Sequence, residues 1–390
     1  MRIGHFVAVV SRRLGEDRNV SGHIQLPLHS LSLLRDAGHD VHLITHKFGV
    51  DRSIPACMPH DVPIHFVDDA RVRGGNFNPA LGNKQGLRLG LLRRQVAQVK
   101  QIASEQQLDV LHFYGHTRTI TLAGLTRWYG LKCPVIVTLC GAPQRRRFLS
   151  CKFLSRRVSA VLTATQFVRD QCARGGLDVQ LLRHGIIRDL RTELDGETIQ
   201  PRHRVLFWRE ASELNGGDVC LEAFDELAPQ FPDLSFDFAI RKFWQEVPGL
   251  AELERRHANF HVYRFPYPDG ISLAKLIAES LLVVLPFRTL LFQPQLAIAE
   301  SLASGVAVVS TEIESTPELI TPGRTGALVA SGNVPALVDA IKTMLCERER
   351  TLEMGRQAAL DLARDWNWDG YARTLESVYN RALRTYKPTA

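Results

Sequence analysis

Apolar positions along this chain follow two alternating patterns. Short runs rich in Val, Ile and Leu, each the length of one strand, alternate with longer stretches in which apolar residues recur every three or four positions. In the first half, residues 3–10, 41–45, 110–114, 135–139 and 158–163 read as strands. Residues 24–36 read as a helix, and 87–103 as another with Leu92, Val96 and Val99 on one face. A polar, Pro-containing stretch near 192–202 interrupts the pattern, which restarts with strands at 205–208, 236–240, 260–263, 281–285 and 306–310. This order predicts an α/β protein with two doubly wound parallel sheets. The expected divisions are 1–195 and 196–365, with a last helix within 366–390 crossing back to the first domain. Ligands of such sheets bind at the carboxyl ends of the strands, in the cleft that two of them leave.

The stretch from Gln293 to Ser310 carries the most local information. An apolar helix bearing one carboxylate, Glu300, stops at Ser304-Gly305 and runs into a β-branched strand. Pro294 suits the first helical position and Gln293 the cap. Gly305 suits a left-handed stop. The free N–H groups of the helix start, at Gln295 and Leu296, form a place for an anion. By itself Glu300 reads as a solvated helix residue, and only its surroundings change that.

Size and charge narrow the picture. At 390 residues the chain exceeds what one core normally organises, and 45% hydrophobic with 23% charged residues is an ordinary globular balance. It opens on a strand pattern without a leader signature, and the most apolar run, 271–292, is broken by Lys275, Glu279, Pro286 and Arg288. Seven cysteines, at 57, 133, 140, 151, 172, 220 and 346, lack metal or redox spacing, which suits reduced thiols and a cytoplasmic setting. The net charge of +7 is uneven. Arg145, Arg146, Arg147, Lys152, Arg156 and Arg157 cluster without an acid, as do Arg73, Lys84, Arg88, Arg93 and Arg94. Such clusters are either solvated faces or docks for an anionic partner: a phosphorylated acceptor or an anionic lipid surface. No nucleic-acid motif accompanies them, so nucleic acid is not an expected partner.

Several motifs stand in a fixed order. They are Ser21-Gly22-His23 before the first helix, Asp109-Val110-Leu111-His112 at a strand end, Phe207-Trp208-Arg209 through Asn215-Gly216-Gly217, and Leu221-Glu222-Ala223-Phe224. Glu300 to Ser310, Pro317-Glu318-Leu319-Ile320 with Gly323 and Thr325-Gly326, and Trp366-Asn367-Trp368 follow. In this order the chain resembles the GT-B glycosyltransferases, specifically glycosyltransferase family 4. The resemblance implies two Rossmann-like domains: an N-terminal acceptor domain and a C-terminal nucleotide-sugar domain. It implies sugar transfer with retention, without a metal or other cofactor, from a nucleotide sugar of the UDP or GDP type.

In that chemistry negative charge grows on the departing diphosphate, and fixed donors aimed at it lower the barrier. The resemblance assigns donor binding to Gly22, Arg209, Asn215, Gln295, Leu296 and Glu300. Gly22 would give close backbone approach, Arg209 a planar fork, and Glu300 a partner for the ribose hydroxyls. The alternatives, a simple turn at Gly22 and a surface ion pair at Arg209, stand behind these roles because the motifs are collinear. The catalytic candidates are Cys140, where the family has a histidine, and His112 at the neighbouring strand end. Nothing in the sequence places a base beside Cys140.

The chain also departs from the family pattern. Asn215 stands at the position of a lysine, with Arg241 or Lys242 as substitutes for its charge. Phe292, with Gln293 beside it, stands at the first acid of the paired-glutamate motif, and Ser315-Thr316 replaces a glycine pair. The function expected is a retaining, metal-independent glycosyltransferase acting on a polysaccharide or lipid-linked glycan, cytoplasmic or peripheral at the inner membrane face. The alternatives are a GT-B scaffold without turnover that binds a ligand or partner, and a peripheral membrane or nucleic-acid binder driven by the arginines.

Overall fold

The structure, a computed structural model, describes residues 1–7, 22–47, 61–68, 89–142, 148–186, 190, 192–194, 198–200, 202–241 and 246–387. The candidates Arg73, Lys84, Arg88, Arg145, Arg146, Arg147 and Lys242 lie outside them. The chain forms two compact units, Met1–His184 with Asp369–Ala390, and Gly185–Trp368. The pattern of the sequence places the divisions at 195 and 365.

Unit 1 contains the strands β1 (Arg2–Val7), β2 (Asp40–Lys47), β3 (Ile64–Asp68), β4 (Val110–Gly115), β5 (Val135–Leu139), β6 (Ala160–Thr163) and β7 (Gln180–Leu181). They form one sheet in the order β3-β2-β1-β4-β5-β6-β7, and every neighbouring pair is parallel. Its helices are α1 (Gly22–Asp36), α2 (Leu89–Glu105), α3 (Thr117–Trp128), α4 (Phe148–Ser155) and α5 (Gln166–Arg174). The inner strands read as continuous apolar runs because helices cover both faces. Phe6 and Phe113 meet at 5.0 Å between ring centres. Leu92, Val96 and Val99 of α2 are buried in the same core, on the face that their spacing predicts.

Unit 2 contains α6 (Gly217–Leu227), α7 (Leu250–Arg256), α8 (Leu273–Ala278), α9 (Leu296–Ala303), α10 (Val334–Cys346) and α11 (Arg348–Asp365). Its strands are β8 (Arg204–Phe207), β9 (Ser235–Arg241), β10 (Phe260–Phe265), β11 (Ser280–Leu285), β12 (Ala307–Thr311) and β13 (Gly326–Val329). They form a parallel sheet in the order β10-β9-β8-β11-β12-β13. The order reverses between β8 and β11, so the crevice for a ligand opens beyond their carboxyl ends. Phe207, Phe224, Phe236, Phe238 and Phe260 fill the core beneath, with neighbouring rings 4.6–5.7 Å apart.

The chain returns to unit 1 through the last helix, α12 (Trp368–Thr385), whose Tyr371, Leu375, Val378, Tyr379 and Ala382 are buried. The stop at Gly305 has the expected form. Its φ is +73°, its N–H donates to the Leu302 carbonyl at 2.9 Å, and the Val306 N–H donates to the Ser301 carbonyl at 3.2 Å. This pair of bonds is the Schellman arrangement, which glycine permits at no steric cost. The helix start differs from the sequence reading: Gln295, not Gln293, is the cap, and Pro294 precedes the helix in a cis peptide. Gln293 is held elsewhere, by Glu314.

Candidate functional site

The segments that follow β8, β11 and β12 are joined to one another side by side. Trp208, buried just past β8, donates from Nε1 to Ser301 Oγ on α9 at 2.8 Å, and that hydroxyl donates on to the Ala297 carbonyl at 2.8 Å. Gly216 stands at φ +73°, and a Cβ there would lie 1.9 Å from the Pro286 carbonyl oxygen. The turn after β8 therefore approaches the one after β11 more closely than any side chain permits. Arg288 joins the same turns, donating to the Glu213 carbonyl at 3.2 Å and to Asp218 Oδ2 at 2.6 Å. At the end of β12, Thr311 Oγ1 donates to the Phe287 carbonyl at 2.5 Å, and beyond it Glu314 accepts from Gln293 Nε2. Burial pushes the Glu314 carboxyl above its ordinary value, and the hydrogen bonds it accepts act against that.

This framework holds polar atoms that have no partner among the described residues. Arg209 Nε after β8, Gln293 Oε1 after β11, and Ser315 Oγ and Thr316 Oγ1 after β12 are all buried without a hydrogen bond there. A fifth, Asp218 Oδ1, lies in the first turn of α6, which follows β8. Each buried, unsatisfied group of this kind costs about 1–3 kcal/mol, so native chains retain few. Several of them at the carboxyl ends of three adjacent strands describe a place for a polar ligand.

The donor-binding candidates from the sequence fall around these atoms. Arg209 is half-buried, with its unpartnered Nε inside. Gln295 caps α9, Leu296 opens it, and Glu300 lies buried one turn in, at 7% exposure. The first amides of such a helix have no intrahelical acceptor and carry its positive end. Asn215 turns away, because its Nδ2 donates to the Glu210 carbonyl at 3.0 Å and to Glu210 Oε2 at 3.2 Å. The nearby polar groups that sequence reasoning did not assign to binding are Gln293, Ser315 and Thr316. The available signal was their substitution for an acid-bearing stretch and a glycine pair.

Unit 1 places its candidates differently. Gly22 is the first residue of α1, and its surroundings lie outside the described residues. His112 is fully buried in β4: Nε2 meets Thr138 Oγ1 at 2.7 Å and Nδ1 meets the Tyr379 hydroxyl at 2.7 Å. The same hydroxyl meets His5 Nε2 at 3.1 Å. Burial holds His5 down to about 3 and His112 well below its ordinary value, so both rings are neutral. With both nitrogens occupied, His112 fastens α12 to the sheet and has no nitrogen left for a substrate. Cys140 is buried as well, and desolvation pushes its thiol up to about 12, the wrong direction for a nucleophile. The structure thus places both catalytic candidates in the buried interior of unit 1. The cysteines at 133, 151, 172 and 220 are likewise buried, and Cys346 is exposed.

Comparison with known proteins agrees with this architecture. Residues 26–183 match a family described as glycosyl transferase 4-like domain, and 202–347 match glycosyl transferases group 1. The chain is 34% identical over 185 residues to a D-inositol 3-phosphate glycosyltransferase of Corynebacterium aurimucosum, 46% of this chain and 43% of that one. It is 34% identical over 88 residues to that of Corynebacterium glutamicum, 23% of this chain and 21% of that one. The chain thus spans less than half the length of these curated relatives. Anabaena Alr3699/HepE, solved with UDP and glucose, superposes with a TM-score of 0.69 at 15% identity, covering 97% of this chain and 99% of that one. A sucrose-phosphate synthase of Thermosynechococcus elongatus superposes with a TM-score of 0.72 at 15% identity, covering 99% and 100%. These neighbours share the GT-B fold. Among the described residues no helix is long and apolar enough to cross a membrane.

Proposed function

Because the chain belongs to the group 1 glycosyltransferases, with matched segments covering most of both units, we propose that it transfers a sugar from a nucleotide sugar to an acceptor hydroxyl. The observation that supports this reading is the set of unpartnered buried atoms at the carboxyl ends of β8, β11 and β12. Arg209 would hold the diphosphate, helped by the first amides of α9 at Leu296 and Ala297. Glu300 would accept the ribose hydroxyls. Gln293 Oε1 and the Ser315 and Thr316 hydroxyls would bind the donor where relatives of this type carry an acid and glycines, so Phe292 does not empty the sugar side of polar contacts.

The proposed transfer is retaining and needs no metal. The bond between the anomeric carbon and the phosphate oxygen breaks, a bond to the acceptor oxygen forms, and the acceptor's proton goes with the released nucleoside diphosphate. The charge growing on that leaving group is met by Arg209 and the α9 amides, which are fixed before reaction and need no reorganisation. Unit 1 would supply the acceptor side, for a glycan or a lipid-linked glycan, and its basic residues would bring it to an anionic surface. UDP is the first nucleotide to try, with GDP beside it, because HepE is solved with UDP.

Calorimetry with UDP, GDP and their sugar conjugates, without metal, tests the reading. One nucleotide series should bind, and Arg209→Ala should weaken it by about 10–100-fold, the worth of a charge-assisted hydrogen bond. Unchanged affinity would remove Arg209 from the site. Silence across the panel with the intact chain would leave a scaffold without a donor.

A further inference from the structure

We propose that the exposed face of α3 and α4 docks unit 1 on an anionic lipid bilayer. This rests on unit 1 meeting an anionic surface and not on sugar transfer by the chain. Four large apolar side chains stand out from this face: Leu149 is 86% exposed, Phe153 51%, Tyr129 47% and Trp128 45%. They are gathered there because α4 lies hard against α3. A Cβ on Gly124 would fall 2.7 Å from the Leu154 side chain and 2.8 Å from its carbonyl oxygen. The Trp128 and Phe153 rings consequently sit 5.3 Å apart.

Cations surround these side chains. The Arg157 guanidinium lies 4.3 Å above the Trp128 ring, Lys100 Nζ donates to the Tyr129 carbonyl, and Arg156 is exposed beside them. No Asp or Glu occurs between Asp109 and Asp170, while Arg and Lys recur throughout that stretch. An aromatic and aliphatic cluster with a basic border is what the boundary between lipid headgroups and acyl chains accepts. Nucleic acid would satisfy the cations and leave Leu149 in water. A second copy would bring this face against its own positive charge, since a two-fold dimer joins identical patches. An anionic bilayer suits both halves of the surface at once.

Cosedimentation of the full chain with vesicles tests this, using phosphatidylcholine with and without phosphatidylglycerol, at low and at high salt. The chain should pellet with the anionic vesicles only, and less at high salt. Leu149→Ser with Phe153→Ser should lower partitioning by about tenfold or more, since both residues are already exposed in the folded chain. Arg156→Gln with Arg157→Gln should lower it by about tenfold at low salt and by much less at high salt. UDP binding, measured on the same samples, reports on the donor site separately. The proposal is overturned if the chain stays in solution with anionic vesicles, if the apolar double variant pellets as well as the parent, or if that variant instead dissolves a dimer.

Discussion

A cluster in unit 1 and a cluster in unit 2 bury polar side chains against comparable sheets and differ in how far they are satisfied. In unit 1 the groups around Tyr379 and Ser30 close on one another, although His42 Nε2 elsewhere in that unit is buried without a hydrogen bond among the described residues. The Tyr379 hydroxyl serves His5 at 3.1 Å and His112 at 2.7 Å, and Thr138 takes the other nitrogen of His112. Ser30 meets Tyr114 at 3.2 Å and Tyr371 at 3.3 Å. In unit 2 the groups at the strand ends stop short: Arg209, Gln293, Ser315 and Thr316 each keep a buried atom with no partner among the described residues. A closed network stabilises a fold, because every group recovers in the protein what it lost in water. An open one is held in place by the fold and completed by something else. The two units therefore separate a histidine cluster whose groups are satisfied from a loop cluster that keeps unsatisfied atoms among the described residues.

The largest expected effect tests the closed side. Tyr379→Leu strips a partner from two buried imidazoles and leaves a void, and should destabilise unit 1 by about 4 kcal/mol in urea unfolding. Nucleotide binding by unit 2 should be unchanged in buffer. A loss below about 1 kcal/mol would mean that the network contributes little.

Acid is a gentler probe of the same cluster. Folded His5 is held down to about 3 and His112 also lies low, while unfolding returns each to 6.5. Below pH 6.5 the unfolded chain thus binds protons that the folded chain refuses. Stability is full above that value and is lost as pH falls towards the folded values, by about 1.4 kcal/mol per pH unit for each ring at the steepest. Hydrogen exchange across β1 and β4 should accelerate on acidification before exchange across β11 does. Parallel acceleration in both units would contradict this assignment.

The smallest effect concerns Asn215. Its amide is committed to Glu210, so Asn215→Lys should place an ammonium against that carboxylate and change nucleotide affinity by no more than about twofold. Much tighter binding would show that position 215 faces the donor after all.

The strands in the middle of each sheet were legible because burial on both faces forces unbroken Val, Ile and Leu runs, as in β11 and β12. The α2 stripe and the stop at Gly305 were legible for equally local reasons, periodicity and a left-handed φ. The short β3, Ile64–Asp68, whose apolar residues are interrupted by His65 and end at Asp68, was not. Nor was the role of His112, since its partner Tyr379 lies 267 residues away and no local pattern records that pairing. At the loops after β8, β11 and β12, Arg209, α9 and the departures at 292 and 315–316 were legible. It did not show that Gln293 takes the polar place beside Phe292, because that depends on the turn of the loop towards Glu314.

The most direct test of the contrast is the stability of Ser315→Ala with Thr316→Val, measured with and without saturating UDP. Removing two unsatisfied hydroxyls should make the free chain as stable as the parent or more stable, by about 1–2 kcal/mol. The increment gained from UDP or its sugar conjugate should shrink, since that increment follows affinity. A variant that is less stable when free, with its nucleotide increment intact, would show that these hydroxyls serve the fold and that the open cluster is not the donor site.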